Sequence, residues 1–217
     1  MSSDLEQKLV LFGCLIVAII LHEISHGIVA LWFGDDTAKR AGRLTLNPLS
    51  HIDPFGSIIL PAMLVLSGLS VFGWAKPVPV NPSKLRKPRE QMVLVGLAGP
   101  GANYALMLLS ALGARFAFRH SSFPPGPLYL SDFSLPLQIL LDFAFVNLLL
   151  GTFNLLPIPP LDGSSLIERA LPRRWLPGWY RYRQYGMLVL LLLVFGTNLF
   201  GRVLRPLEEA LSRFILQ

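Results

Sequence analysis

The sequence predicts an all-α polytopic membrane protein, and three observations lead to this fold class. Of the 217 residues, 53% are hydrophobic and only 15% are charged, with a mean hydropathy of +0.54, which is far more apolar than a typical soluble domain. The apolar residues occur in long uncharged blocks, without the short periods of amphipathic elements. Proline and basic residues gather between the blocks. We therefore expect one membrane-embedded domain over residues 1–217.

The apolar blocks predict about four transmembrane helices, one embedded hairpin and one surface helix. A helix needs about 20 residues to cross about 30 Å of hydrocarbon. The second block is the exception, because Pro61 and several glycines interrupt it, and we expect it to turn back as a re-entrant hairpin. After the last block, apolar and charged residues recur at helical spacing, which predicts an amphipathic helix at the membrane interface. The blocks are residues 9–33, 55–74, 93–114, 136–153 and 184–201.

The distribution of charge argues against a nucleic-acid partner and orients the chain. The net charge is +6 and the isoelectric point is about 9.8, but no stripe of Lys and Arg interleaves with aromatic residues. The basic residues lie between apolar blocks, where they suit anionic lipid. Loops rich in Lys and Arg stay cytoplasmic, so the basic loops at 76–89 and 157–183 mark the cytoplasmic side.

The first block contains polar residues that hydrocarbon does not normally hold: His22, Glu23 and His26. Residues i and i+4 share one face of a helix, so both histidines can bind one metal ion while Glu23 reaches a water beside it. An HExxH motif also occurs by chance on solvated helices. Within a span, however, each charged group costs about 2.5–3.5 kcal/mol, which favours a functional site. The motif predicts a zinc hydrolase.

A catalytic zinc ion needs a third protein ligand and an open position for water. The best candidate is Asp162, in the segment 154–163, whose prolines predict an extended chain lining a cavity. Asn154 is the last polar side chain of the fourth block and could face the same ion. By itself, a proline-rich turn with one Asp is more often an ordinary loop. Its combination with HExxH reverses that interpretation.

These motifs resemble the site-2 protease family of intramembrane zinc metalloproteases, in which an HExxH helix is followed by an NxxPxPxLDG segment. Three further stretches resemble the short prokaryotic branch without PDZ or sensor domains. They are GRLTLNPLSHIDPFG at 42–56, GWAKPVPVNP at 73–82 and AGPGAN at 98–103. The resemblance covers residues 9–170, which would form the catalytic core, and leaves a C-terminal span and tail at 183–217.

The resemblance implies one zinc ion per chain, held by His22, His26 and Asp162. Glu23 would be the general base that takes a proton from water. Asn154 would hydrogen-bond the carbonyl oxygen of the substrate, in a modest oxyanion role. The implied activity is cleavage of peptide bonds within or beside transmembrane segments.

By the same resemblance, Asn103 and the stretch 73–82, with Trp74 and Pro77, would position the unwound substrate as a β-like strand. The partners would then be a transmembrane protein substrate and the lipid bilayer of a prokaryotic cell membrane. The sequence predicts no particular oligomeric state.

The motif positions also constrain the topology. If all blocks crossed, HExxH and Asp162 would lie near opposite membrane faces, so one block between them must not cross. With residues 55–74 re-entrant, thirteen Lys and Arg fall on the active-site side and six on the other, whereas full crossing divides them eleven to eight. The stronger bias predicts four spans, an external N-terminus and an active site toward the cytoplasm.

A zinc-binding membrane transporter or an inactive scaffold is the rival interpretation. A transporter needs metal ligands but no general base between them, so Glu23 favours the enzyme. His51 and Asp142 are not counted as site residues, because a capping histidine and an interfacial carboxylate explain them equally well or better.

Overall fold

The computed structural model describes residues 2–59, 63, 66, 73–121 and 133–217, and within these ranges every regular element is helical. The predicted all-α class is thus confirmed for the described part of the chain. Short 3-10 turns lie at Pro48–His51, Pro82–Lys84 and Arg173–Trp175, and a π-helical turn lies at Pro54–Ile59. The α-helices are α1 (Ser2–Trp32), α2 (Thr37–Arg40), α3 (Pro88–Arg119), α4 (Leu135–Asn154), α5 (Ser164–Ala170), α6 (Leu176–Arg183), α7 (Gly186–Gly196) and α8 (Leu199–Leu216).

Three of these helices are long and apolar enough to cross a membrane: Leu5–Trp32 within α1, the whole of α3 and the whole of α4. At about 1.5 Å per residue, each is at least about 30 Å long, the thickness of the hydrocarbon core. The first, third and fourth apolar blocks therefore form helices of spanning length, as predicted.

The chain divides into two compact units, which we describe separately. One unit comprises Met1–Ala18 and Pro100–Gln217, and the other comprises Ile19–Gly99. We call the first the helical unit and the second the loop unit, because most irregular segments between α1 and α3 belong to it.

In the loop unit, an irregular segment at residues 74–81 is held by individual hydrogen bonds. Its two prolines lack an N–H group, so the segment cannot pair as a regular strand. The N–H of Lys76 donates to the carbonyl of His51 at 2.9 Å, and the Arg43 guanidinium donates to the carbonyl of Lys76 at 2.7 Å. We call residues 74–81 the strap, because it is anchored at successive points along its length.

The two ends of the predicted hairpin, residues 55–74, lie together. The N–H of Trp74 donates to the carbonyl of Gly56 at 3.1 Å, and the Ser57 hydroxyl donates to the carbonyl of Trp74 at 2.8 Å. The Trp74 indole packs so closely on Gly56 that any side chain there would collide with it. Most residues between these ends lie outside the described ranges, so the hairpin itself stays a prediction.

In the helical unit, α3 and α4 pack through small residues and polar pairs. The Asn103 amide donates to the Asn147 side-chain carbonyl at 2.8 Å, and the hydroxyls of Tyr104 and Thr152 are 3.0 Å apart. Gly151 leaves room for the Tyr104 ring, which lies 3.2 Å from the position of a methyl group there. Hydrogen bonds between apolar helices satisfy groups that are costly to bury alone, so these pairs fix how α3 and α4 face each other.

The fifth apolar block, 184–201, does not form a helix of spanning length. The helix α7 has 11 residues, or about 16 Å at 1.5 Å per residue. Gly186, at its start, packs directly against the Pro159 backbone, and Phe200, just beyond its end, lies edge-on to Phe153 with 5.3 Å between ring centroids. Both ends of α7 therefore lie beside the C-terminal end of α4 and the turn that follows it.

The helix α8 is amphipathic as predicted, but it packs lengthwise along α4. Its first turn lies at Phe153, near the end of α4, whereas Ile215 belongs to a buried cluster with Leu137, near the start of α4. Arg115 and Arg119 of α3 donate to carbonyls in the last residues of α8 and the chain end. Leu204 and Ile215 are buried in this packing, whereas Val203, Leu207 and Phe214 of the same helix remain exposed. The expected position at the membrane interface stays a prediction.

Candidate metal centre

The two histidines of the HExxH motif converge on one face of α1. The Nε2 atoms of His22 and His26 are 3.1 Å apart, and the two residues retain only 5% and 8% of their surface exposed. The i, i+4 spacing places both rings on the same side of the helix. The expected convergence of two imidazole nitrogens is therefore observed.

The neighbouring helix fixes which nitrogen of His26 carries the proton. Its Nδ1 atom lies 2.6 Å from the carbonyl oxygen of Val95 in α3. A carbonyl oxygen only accepts, so Nδ1 must be the donor, and in the neutral ring Nε2 keeps its lone pair. This is the tautomer that a metal ligand needs, and such a backbone contact typically orients the ring.

The nitrogen pair fits a zinc ion in distance and chemistry. Two nitrogens at about 2.0–2.1 Å from zinc and at the tetrahedral angle are about 3.3 Å apart, close to the observed 3.1 Å. Zinc favours neutral imidazole ligands, and burial of the pair keeps bulk water from competing for it. The loop unit thus supplies two well-placed candidate ligands.

Gly99 of α3 allows this close approach. A methyl group at Gly99 would lie 2.5 Å from Nε2 of His22 and would also collide with the His26 ring. Only a residue without Cβ leaves space for both imidazoles at this point. Sequence inspection placed Gly99 in a family-like stretch but did not predict that it packs against the histidines.

Glu23 faces the strap. One oxygen of its carboxylate accepts a hydrogen bond from the main-chain N–H of Val78 at 2.8 Å. Gly27, one turn further along α1, makes room for the strap, because a methyl group there would lie 3.0 Å from the Val78 side chain. The carboxylate is thus held by a backbone donor, and Glu23 lies between the two histidines in the sequence.

Asp35 is a buried carboxylate that sequence analysis did not single out. It follows α1 directly, is 0% exposed, and accepts hydrogen bonds from the N–H groups of Thr37 at 3.0 Å and Asn81 at 2.6 Å and from the Thr37 hydroxyl. Burial raises the pKa of Asp35, but these hydrogen bonds together with the charge of Lys84 outweigh it and hold the pKa below its usual value.

His51 serves the loop unit as a structural anchor. It is 4% exposed, and its Nε2 lies 3.0 Å from the carbonyl of Thr45. Its own carbonyl accepts the N–H of Lys76 in the strap. These contacts hold the loop to the strap, which agrees with leaving His51 out of the ligand set.

In the helical unit, Asp162 lies in a closed turn and not in the extended chain that its prolines predict. The N–H of Gly163 donates to the carbonyl of Asn154 at 2.7 Å, which joins the two ends of the segment. Gly163 must lack a side chain, because a methyl group there would collide with the carbonyls of Leu155 and Leu156. Proline forbids a helix but not a turn, so the prediction of an extended chain was wrong.

Asn154 and Asp162 take defined positions in this turn. The Asn154 amide donates to the carbonyl of Leu150, one turn earlier in α4, at 3.0 Å. Asp162 is half-buried, and one of its carboxylate oxygens is shielded from solvent. The turn therefore fixes the backbone that carries both side chains.

The three residues expected to position a substrate differ in exposure. Asn103 is 0% exposed and bonded to Asn147, so its side chain holds α3 to α4 and offers no surface to a substrate. Trp74 is half-buried against Gly56, and Pro77 is exposed on the strap. Of the three, only the strap residues present surface that another chain could contact.

Comparison with known proteins supports the zinc-protease interpretation. Residues 127–196 match peptidase family M50. A Bacillus subtilis protein provisionally named zinc metalloprotease YwhC is 42% identical over 197 residues, covering 90% of this chain and 84% of that protein. A Mycolicibacterium smegmatis protein provisionally named zinc metalloprotease Rip2 is 33% identical over 190 residues, covering 86% of this chain and 66% of that protein.

A more distant relative is zinc metalloprotease MJ0392 of Methanocaldococcus jannaschii, which is 23% identical over 193 residues, covering 86% of this chain and 42% of that protein. No solved structure matches the chain. The likeness to YwhC extends over most of both proteins, and the described residues contain three helices of spanning length. The chain is an integral membrane protein, and it belongs to peptidase family M50, the site-2 protease family.

Proposed function

We propose that the protein is a zinc-dependent intramembrane endopeptidase that cleaves peptide bonds in or near transmembrane segments of other membrane proteins. One observation carries the proposal: within a helix of spanning length, two buried imidazole nitrogens converge at 3.1 Å, and Glu23 follows His22 directly in the sequence. A buried ionisable cluster of this kind in a span is costly unless it has a function. The family and the names of its members support the same activity.

In the proposed site, His22 and His26 bind one zinc ion and Asp162 is the third protein ligand. Asp162 is proposed from its motif, because a catalytic zinc ion takes three protein ligands and the LDG segment supplies the carboxylate. When bound, zinc would acidify a water molecule and polarise the substrate carbonyl. Glu23 would accept the proton of that water and later donate it to the leaving amine.

Further residues are proposed to contact the substrate. Asn154 would hydrogen-bond the carbonyl oxygen of the scissile peptide, which requires its amide to turn away from the Leu150 carbonyl. Trp74 and Pro77 would contact the substrate chain along the strap. Asn103 is retained only as a support for the helices that surround the site.

The proposed topology has a re-entrant segment at 55–74 and an active site toward the cytoplasm of a prokaryotic cell. The hydrogen bond between Gly56 and Trp74 supports it, because a segment that crossed about 30 Å of hydrocarbon could not have its ends about 3 Å apart. A cysteine-accessibility map in a Cys14→Ser background tests it. Labelling of 34–54 and 75–91 from opposite sides would disprove the topology.

The decisive experiment is Glu23→Gln. We expect the variant to keep its zinc, measured by elemental analysis of the purified protein, and to lose cleavage, measured as new peptide termini in membranes of cells expressing it. Ser25→Ala on the same helix is the matched control, because the Ser25 hydroxyl donates to the carbonyl of Leu21 within that helix. Full cleavage by Glu23→Gln would remove Glu23 as the general base. Absence of cleavage by the unaltered, zinc-loaded protein would favour a metal transporter or scaffold.

The ligand set is tested separately. Asp162→Ala should lower the zinc content, as His22→Ala should, while the protein remains folded by circular dichroism. Unchanged zinc in Asp162→Ala would remove this residue from the ligand set without affecting the other assignments.

A further inference from the structure

Two adjacent carboxylates beyond the end of α1 have very different surroundings. Asp35 is fully buried and bonded to main-chain N–H groups, including that of Asn81 in the strap. Asp36 is partly exposed and forms ion pairs with Lys84 at 2.8 Å and Arg40 at 2.5 Å. Exposed ion pairs contribute little to a fold. Of the two, only Asp35 is built into the structure around the strap.

The strap connects Asp35 to the proposed general base. Asp35 accepts the N–H of Asn81 at 2.6 Å, and three residues earlier in the chain Glu23 accepts the N–H of Val78 at 2.8 Å. Pro79 lies between these two donors and restricts Val78 to an extended backbone. A rigid stretch of three residues therefore links the two carboxylates, so a shift of the strap at Asn81 is passed on to Val78.

The hydrogen bond from Val78 has a consequence for Glu23. A glutamate side chain has three rotatable bonds, and a main-chain donor fixed on both sides limits where its carboxylate can lie. The strap is also held on the N-terminal side of Val78, because both the N–H and the carbonyl of Lys76 form hydrogen bonds. General-base catalysis depends on this placement, since a displacement of about 1 Å can cost about 100-fold in rate.

We propose that Asp35 is a positioning residue for the reaction: by binding the N–H of Asn81 it sets the strap so that the N–H of Val78 orients the Glu23 carboxylate. The inference rests on the proposed function, in which Glu23 is the general base. Asp35 itself touches neither the metal site nor the substrate, and it acts through the strap alone.

The first test follows amide hydrogen exchange in the zinc-loaded protein, with resolution of single residues in the strap. Asp35→Asn should increase exchange at both Asn81 and Val78. Glu23→Gln should increase it at Val78 only, and Asp36→Asn should leave both unchanged. The exchange measurement does not depend on proteolytic activity. If Asp35→Asn leaves Val78 as protected as in the unaltered protein, the coupling through the strap is refuted.

The second test compares kcat and KM of the unaltered protein and its variants on a transmembrane substrate that the unaltered protein cleaves, with both proteins reconstituted in vesicles. Asp35→Asn should lower kcat by about 10–100-fold, because a displacement of about 1 Å at the reacting groups can cost about 100-fold, with KM and zinc content nearly unchanged. Val78→Pro, which removes the donor but keeps an extended backbone, should give the same pattern even if Asp35→Asn folds poorly. Asp36→Asn is the matched control and should retain full activity.

The outcomes separate this inference from the proposed function. If the unaltered protein does not cleave, the proposed function fails; if it and Glu23→Gln cleave equally well, the general-base role of Glu23 fails. In both cases the exchange measurements still decide the coupling. If the unaltered protein cleaves and both Asp35→Asn and Val78→Pro cleave at its rate, the positioning role is wrong. If Asp35→Asn loses zinc in proportion to its loss of activity, the positioning role is also wrong, because Asp35 would then support the metal site as a whole.

Discussion

Substitution of Gly99 by alanine gives the sharpest test of the metal centre. The added methyl group would lie 2.5 Å from Nε2 of His22, whereas ordinary van der Waals contact begins at 3.4 Å. Something must therefore move by about 0.9 Å, several times the tolerance of about 0.2 Å in zinc–ligand distances. His26 cannot yield without breaking its bond to Val95. We expect zinc affinity to fall by about 10–100-fold, as when a residue orienting a metal ligand is removed.

The same substitution should not weaken the helix itself. Replacing glycine by alanine inside a helix stabilises it by up to about 1 kcal/mol, so the two effects have opposite signs. Gly101→Ala is the matched control, because it lies in the same helix and, among the described residues outside the adjoining helix backbone, no atom lies within 4 Å of the added methyl group. The assay is zinc retention during titration with a chelator, together with the thermal melting temperature.

Equal zinc affinity in Gly99→Ala and Gly101→Ala would refute this reasoning. It would mean that the imidazoles are not confined at Gly99 and that their 3.1 Å separation is not imposed by α3. Loss of zinc in both variants would instead show that the helix responds as a whole, and the local steric argument would fail.

Three further predictions concern stability and the turn that carries Asp162. Asn103→Leu leaves the Asn147 side chain without its hydrogen-bond donor, which costs about 1–3 kcal/mol of stability. The melting temperature in detergent should therefore fall. Replacing both Asn103 and Asn147 by Leu should recover part of the loss. Because the folded pKa of Asp35 is lowered, its carboxylate adds stability above its unfolded pKa of about 3.9 and loses it as the pH falls through the folded value. The melting temperature should thus decrease more steeply below about pH 4 in the unaltered protein than in Asp35→Asn. Gly163→Ala should open its turn and lower zinc retention, whereas Gly178→Ala, with open space around it, should behave as the unaltered protein.

Periodicity and block length predicted α1, α3 and α4 correctly, because a span of about 20 apolar residues has few alternatives to a membrane helix. At the C-terminus the same reasoning predicts a further span, which is not among the three helices of spanning length in the described residues. Residues 184–201 are as apolar as a span, but α7 ends after 11 residues. The amphipathic helix α8 packs along α4. Hydropathy measures the preference of a segment for apolar surroundings, and it does not say whether lipid or another helix supplies them.

Sequence by itself predicted the reactive side chains: the spacing of His22, Glu23 and His26 predicts a metal-binding helix face, and the motifs of this sequence already resemble the site-2 protease family. Only the tertiary structure decided how those side chains are held. The carbonyl of Val95, the missing side chain of Gly99 and the N–H of Val78 are backbone features with no signature in residue type. They act through distance, and distances between segments far apart in the chain arise only from packing.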